Sequence, residues 1–421
     1  MDDRFAITAG SIVTMNSPPI SDGAVVVHNG KIEKVVVREN IPHEIRVEEH
    51  PDGIIMPAFV NAHTHLVFTM FKGLADDAGF FEWLTGYVIP LGLDKRDDEC
   101  RDSARAGTHE CFRNGITCVG ESHYTRWGHR AMLEAGMKGV FFREVFGIRS
   151  LNFARSIRDH KSEIEKLAGE STDRNRIGIS PHAPYSVPPP MARMASEVAE
   201  KHNLPISIHV GETRDEIEFF RHGTGNFSPV RILSRFPNPS ENRTPLTYLD
   251  DFGLLTNRTL LIHGIYLSDN DLKLIASHGC TMVTCPTSNA KLGVGIARAS
   301  AWKSHGIQFC IATDSPASGE SYDLFEEMRR FALFQRGLTG ETESFMAKEI
   351  LESVTVIPAR ALGMDGMVGD LKEGSCADFI LIKPERAGTS GNRDIYRTIV
   401  WGTRRDDIAA VWSDGREVFR R

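Results

Sequence analysis

Hydrophobic and polar positions follow two different rules along this chain. From residue 57 to about residue 330, short apolar runs alternate with longer segments of helical period. The apolar runs fall at 60–63, 116–120, 139–143, 177–182, 206–209, 259–263, 281–285 and 308–314. Amphipathic stretches such as 190–202, 269–278 and 322–336 lie between them. Eight strand-then-helix units are the count of a (β/α)8 TIM barrel. A doubly wound sheet is the alternative, but no Gly-x-Gly-x-x-Gly follows the early strands.

The two ends alternate with period two instead. Residues 5–9 and 11–15 are short β-rich runs, and 23–28 leads into Asn29-Gly30, a hairpin turn signal. Residues 31–37 alternate again. After about residue 364 the same grammar returns at 377–382, 408–412 and 417–419, with a turn at Ser413-Asp414-Gly415-Arg416. The expectation is an α/β protein. A barrel occupies 57–364, and a small composite β-sandwich domain joins 1–56 to 365–421.

Composition narrows the function classes. Hydrophobic residues make up 41% of the 421, enough for a large core, and a charged fraction of 25% does not mark a disordered chain. A net charge of −7 argues against a nucleic-acid surface. No run of ~18 apolar residues predicts a membrane span, and the start Met1-Asp2-Asp3-Arg4 lacks a leader-like pattern. Seven cysteines without a Cys-x-x-Cys pair fit reduced thiols in a cytoplasmic protein.

Chemistry concentrates at the ends of the apolar runs. His63 and His65 lie two apart on a strand, so both imidazoles face one way. Further runs end in His182, His209, His263 and Asp314. A lone histidine on an apolar strand is most often a hydrogen-bonded core residue. Five histidines at equivalent strand ends are hard to explain so, because a barrel collects those ends on one face.

With these positions stand the motifs Val60-Asn61-Ala62-His63-Thr64-His65, Lys72-Gly73-Leu74-Ala75-Asp76-Asp77, Phe81-Glu82-Trp83-Leu84, Ser180-Pro181-His182-Ala183-Pro184-Tyr185 and His209-Val210-Gly211-Glu212-Thr213. Ile262-His263-Gly264, Cys285-Pro286-Thr287-Ser288-Asn289 and Thr313-Asp314-Ser315 follow in order. This set closely resembles the amidohydrolase superfamily, in particular its deaminase and chlorohydrolase branch. The resemblance implies that His63, His65, His209 and Asp314 ligate one divalent metal ion. Zinc is the expected ion, and ferrous iron fits nearly as well. Strand four ends in His182 rather than in a lysine that could become a carbamate bridge, which favours a single ion.

Catalytic roles then fall to Glu212 as proton shuttle, His263 as the group that polarises metal-activated hydroxide or the oxyanion, and Asp314 as proton acceptor. The implied substrate is a small heterocycle, an aminated purine-type base or nucleoside such as an adenosine analogue. Glu82, Trp83, Arg143 and His182 are the expected substrate-binding residues, and the proline-rich segment 221–251 is expected to cover the pocket mouth. A homo-oligomer, a dimer in similar enzymes, is expected, with no nucleic-acid or membrane partner. Two readings compete: a chlorohydrolase or cyclic-amide hydrolase of the same fold, and a non-catalytic scaffold. The filled ligand positions argue against the scaffold.

Overall fold

The computed structural model describes residues 4–147, 153–234, 236–384 and 394–421. The opening residues 1–3, read above for a leader, and residue 235 of the proline-rich segment lie outside that set. Four strands open the chain: β1 (Phe5–Ile12), β2 (Ile20–His28), β3 (Lys31–Val37) and β4 (Arg46–Pro57). Eight more form a second sheet: β5 (Phe59–Thr64), β6 (Ile116–His123), β7 (Lys138–Val145), β8 (Asn175–Pro181), β9 (Ile206–Val210), β10 (Thr259–His263), β11 (Thr281–Thr284) and β12 (Phe309–Ile311). The chain closes with β13 (Phe379–Ile382), β14 (Ile408–Ser413) and β15 (Arg416–Arg420).

Strands β5 to β12 pair in parallel, each with its successor. Helices cover the outside, so strands such as β5, β6 and β7 are buried along their whole length. That double burial is why they read as apolar runs without alternation. The ring closes between β12 and β5 mainly through side chains and an inserted turn. Asn61 Nδ2 donates to Thr313 Oγ1 at 2.8 Å, and the Thr313 amide donates to Asn61 Oδ1 at 3.2 Å. The Val60 and Ile311 amides donate to the carbonyls of Val354 and Ser353. The eighth strand is shorter than its apolar run: pairing stops at Ile311, and Asp314 turns into the left-handed region at φ 59°.

The end segments combine into one seven-stranded mixed sheet, in the order β15-β14-β13-β4-β1-β2-β3. The runs 5–9 and 11–15 are not two strands, because β1 continues from the first into the start of the second, to Ile12, with a register shift at Gly10. A Cβ at Gly10 would sit 2.2 Å from the Pro51 carbonyl oxygen, so this crossing needs glycine. The sheet curls onto itself. The Ala377 amide donates to Gly30 O at 2.9 Å, and Ile7, Val25, Ile55, Leu381 and Trp412 share one buried cluster. Lys138, at the start of β7, is fully buried and donates to Asp378 Oδ1 at 2.8 Å and Ser413 Oγ at 3.0 Å, pinning barrel to sheet. All seven cysteines are free and buried. Among the described residues no helix is long and apolar enough to cross a membrane.

Candidate active site

Because the eight strands run the same way, their carboxyl ends open on one face. β5 carries His63 and leads directly to His65; β8 leads to His182; β9 carries His209; β10 ends in His263. His263 has φ 73°, a left-handed conformation that, like that of Asp314, is costly for a non-glycine residue and is found where a side chain must be aimed.

Three imidazoles and a carboxylate meet at one point. The Nε2 atoms of His63 and His209 lie 3.2 Å apart, and Asp314 Oδ1 is 3.5 Å from Nε2 of both His63 and His65. His65 Nδ1 lies 2.6 Å from the Ser122 carbonyl oxygen, and His209 Nδ1 lies 2.8 Å from that of His182. A carbonyl oxygen only accepts, so both rings carry their proton on Nδ1 and aim the Nε2 lone pair inward. His63 Nδ1 has no partner among the described residues, so its Nε2 is free to present a lone pair beside theirs to a cation. Donors about 2.1 Å from a tetrahedral centre are about 3.4 Å apart, close to the spacing seen here. The residues present fit a divalent metal ion.

Burial holds His63 down to about 4 and His209 well below the usual imidazole range, which keeps both neutral and able to ligate. For Asp314, burial acts upward, but the imidazoles of His63, His65 and His263 around it outweigh it and hold the carboxyl well below the ordinary range. Two hydroxyls secure its other oxygen: Ser288 Oγ at 2.7 Å and Ser318 Oγ at 3.0 Å from Oδ2.

A second acid behaves in the opposite way. Glu212 lies just past β9, and burial, reinforced by the charges of Asp314 and Glu216, pushes its pKa well above the ordinary carboxyl value. Its Oε1 is 3.4 Å from His263 Nε2. His263 Nδ1 lies 2.8 Å from Asn289 Oδ1, an acceptor, so that ring too keeps the Nε2 lone pair towards the site. Two carboxyls with oppositely displaced pKa values in one water-poor mouth are the pattern of an acid and a base.

The model described as Amidohydrolase family matches residues 54–418. This chain belongs to the amidohydrolase family. It is a hydrolase acting on carbon–nitrogen bonds. It is 28% identical over 425 residues to the 5-methylthioadenosine/S-adenosylhomocysteine deaminase of Symbiobacterium thermophilum, covering 99% of this chain and 94% of the relative. It is 27% identical over 422 residues to the 5'-deoxyadenosine deaminase of Methanothermobacter thermautotrophicus, covering 100% and 94%. The fold matches the crystal structure of an adenosine deaminase from Xanthomonas campestris with bound zinc at TM-score 0.87, with 24% identity over 98% of this chain and 92% of the other.

Beside the metal-type cluster of this amidohydrolase lies a cavity of about 770 Å³. Phe68, Phe81, Phe146, Tyr185 and Phe227 give it an aromatic wall, with Tyr185 and Phe227 stacked at 3.8 Å. His182 lines it, 4.9 Å from His209 between ring centroids. Part of the proline-rich segment, from Asn226 to Val230, lines it as well.

Three expected substrate residues stand differently. Glu82 is exposed and outside the cavity, because the turn Phe80–Glu82 buries Phe80 and presents Phe81 to the cavity. Trp83, three residues after Phe80, is buried on the same face, and its indole donates to Ala317 O at 3.2 Å instead of reaching the cavity. Arg143 lines the cavity, but its guanidinium is spent on the Glu144 carbonyl at 2.5 Å and the Glu163 carboxylate at 2.7 Å. Sequence reasoning assigned no role to Asn289, Ser288, Ser318 or Glu144. The first two sit in the Cys285–Asn289 motif, which was the available signal; the other two had none.

Proposed function

We propose that this amidohydrolase is a metal-dependent hydrolytic deaminase of an aminated purine-type nucleoside, an adenosine analogue. The observation that carries the reading is Glu212, a buried carboxyl whose Oε1 lies 3.4 Å from His263 Nε2 and whose pKa burial and the charge of Asp314 displace upward. The names of the relatives, 5-methylthioadenosine/S-adenosylhomocysteine deaminase and 5'-deoxyadenosine deaminase, support the substrate class.

His63, His65, His209 and Asp314 would hold the ion. A divalent metal held there would acidify a water molecule and so supply the nucleophile at neutral pH. His263 Nε2, an acceptor, orients that water towards the ring carbon bearing the amino group. Asp314, ionised, takes the water's proton. Glu212 gives its proton to the adjacent ring nitrogen, so the carbon accepts oxygen without building charge on the ring. Asp314 then returns its proton to the amino group, the carbon–nitrogen bond breaks and ammonia leaves, while the proton of the new hydroxyl passes to the Glu212 carboxylate and restores its acid form. The product is the ring carbonyl with a proton on the neighbouring nitrogen. The aromatic wall excludes water and stacks on the flat base.

Ammonia release measured across adenosine, 5'-deoxyadenosine, 5'-methylthioadenosine, guanine and cytosine tests this, with chloride release from a chloro-triazine run alongside. The nucleosides should turn over fastest. Dominant chloride release, or turnover of free bases alone, would replace this reading with one of its alternatives.

A further inference from the structure

One acid in the cavity has no part in the mechanism above. Glu144 lies on β7, buried, and its carboxylate lies within 4.8 Å of ring nitrogens of His182 and His209. It lines the cavity, and no described residue donates a hydrogen bond to its carboxylate. A buried carboxylate left unpaired by its own protein is costly and calls for a partner.

The identity of that partner follows from the neighbours. His209 Nε2 already faces the metal-type cluster, so a second cation here would find only two protein ligands, Glu144 and His182. The Ser186 hydroxyl donates to Ala183 O at 2.9 Å and therefore accepts from His182 Nδ1, also at 2.9 Å. His182 Nε2 is thus an acceptor. Burial, with the neighbouring imidazoles, holds His182 down to about 3, so the ring stays neutral. Two acceptors side by side match a ligand carrying two donors. Arg143, the one cationic side chain among the described lining residues, is already paired. Its Nε alone lacks a partner, and its charge is already offset by Glu163.

We propose that Glu144 is the specificity-determining residue of the cavity. Together with His182 it accepts hydrogen bonds from the sugar hydroxyls of an uncharged nucleoside, and its charge disfavours nucleosides with an anionic 5' substituent. This rests on the nucleoside reading above.

The test compares the metal-loaded wild type with Glu144→Gln and Glu144→Leu on three compounds: 5'-deoxyadenosine, its 2',3'-dideoxy counterpart, and adenosine 5'-carboxylate. Metal content and melting temperature are recorded for each protein. The wild type should favour the diol over the dideoxy compound by about tenfold or more, as charge-assisted hydrogen bonds imply. In Glu144→Leu that ratio should fall towards one, mainly through KM, with metal content unchanged. In Glu144→Gln the carboxylate compound should gain relative to 5'-deoxyadenosine. That arm remains if the leucine variant does not fold. Unchanged ratios in the variants overturn the proposal while leaving the deaminase reading intact. Loss of metal in Glu144→Gln also overturns it, since Glu144 would then be a ligand. If the wild type deaminates no purine nucleoside, the functional reading itself fails, and this shows before any variant is made.

Discussion

The two sides of the active-site mouth are built differently. On the reaction side, the side chains stand at or just past strand ends, and four of them are locked by a second group. Ser122 and His182 carbonyls fix His65 and His209, Asn289 fixes His263, and Ser288 and Ser318 fix Asp314. On the recognition side, the aromatic part of the wall comes from loops and short helical turns, and its contacts are ring faces: Phe81 on Phe227 at 5.8 Å, Phe227 on Tyr185 at 3.8 Å. Rigid strands with hydrogen-bonded supports place atoms to a fraction of an ångström, as proton transfer requires. Apolar faces tolerate displacement and adapt to a ligand's shape. Substitutions on the first side should therefore abolish chemistry, and those on the second should alter affinity.

The largest effect should come from removing a corner of the cluster. His63→Ala or Asp314→Ala should lose the bound ion and with it essentially all activity. Elemental analysis of protein purified without chelator should find about one divalent ion per chain in the wild type and little in either variant. Full metal content in both variants would show that the converging lone pairs are not the ligand set.

Next comes Glu212→Gln. It should keep metal and fold but lower kcat by ~10²–10⁴-fold, the usual worth of a positioned proton donor. The pH profile fixes the sign. Burial raises the Glu212 pKa, and the acid form is the active one, so kcat should fall as pH rises through that elevated value. The variant should lose this alkaline limb. Near wild-type turnover would remove Glu212 from the mechanism.

The contrast between the two sides also explains what was legible in the sequence. A strand end occupies a defined place in the barrel, so counting eight apolar runs was enough to bring His63, His182, His209, His263 and Asp314 to one face. Supporting groups were harder. Ser318 reaches Asp314 only because the chain leaves β12 early and Asp314 takes a left-handed turn. Glu144 carried no signal at all, since its place in the sequence says nothing about where its carboxylate points. The end sheet was legible as β structure, but its central strand β4 was not separated from the apolar run leading into β5.

On the recognition side, Phe227→Ala should remove the ring stacked on Tyr185 and open the cavity towards the 226–230 segment. Loss of an aromatic face is worth about 0.5–1.5 kcal/mol beyond area burial, so KM should rise by a few-fold to about tenfold, with kcat changing less. The increase should be greatest for substrates with an apolar 5' group. A collapse of kcat with unchanged KM would mean that the aromatic wall shapes the reacting geometry, and the division drawn here would fail.

The smallest effect is expected at Glu82. Its neighbour Phe81 faces the cavity, and helical spacing puts Phe80 and Trp83 together on the buried side, which leaves Glu82 pointing to solvent. An exposed carboxylate separated from the ligand is screened by water and contributes little to binding. Glu82→Ala should therefore leave KM and kcat for a ribosylated substrate within about twofold of wild type, while Glu144→Leu on the same substrate raises KM. The pair separates two accounts of how a sugar is held. If Glu82→Ala raises KM strongly and Glu144→Leu does not, the turn at 80–82 must rotate on ligand binding and carry Glu82 inward. The recognition side would then be a moving element rather than a preformed wall. Hydrogen exchange across residues 66–93, with and without a non-hydrolysable nucleoside, would show that rotation as protection gained only in the bound state.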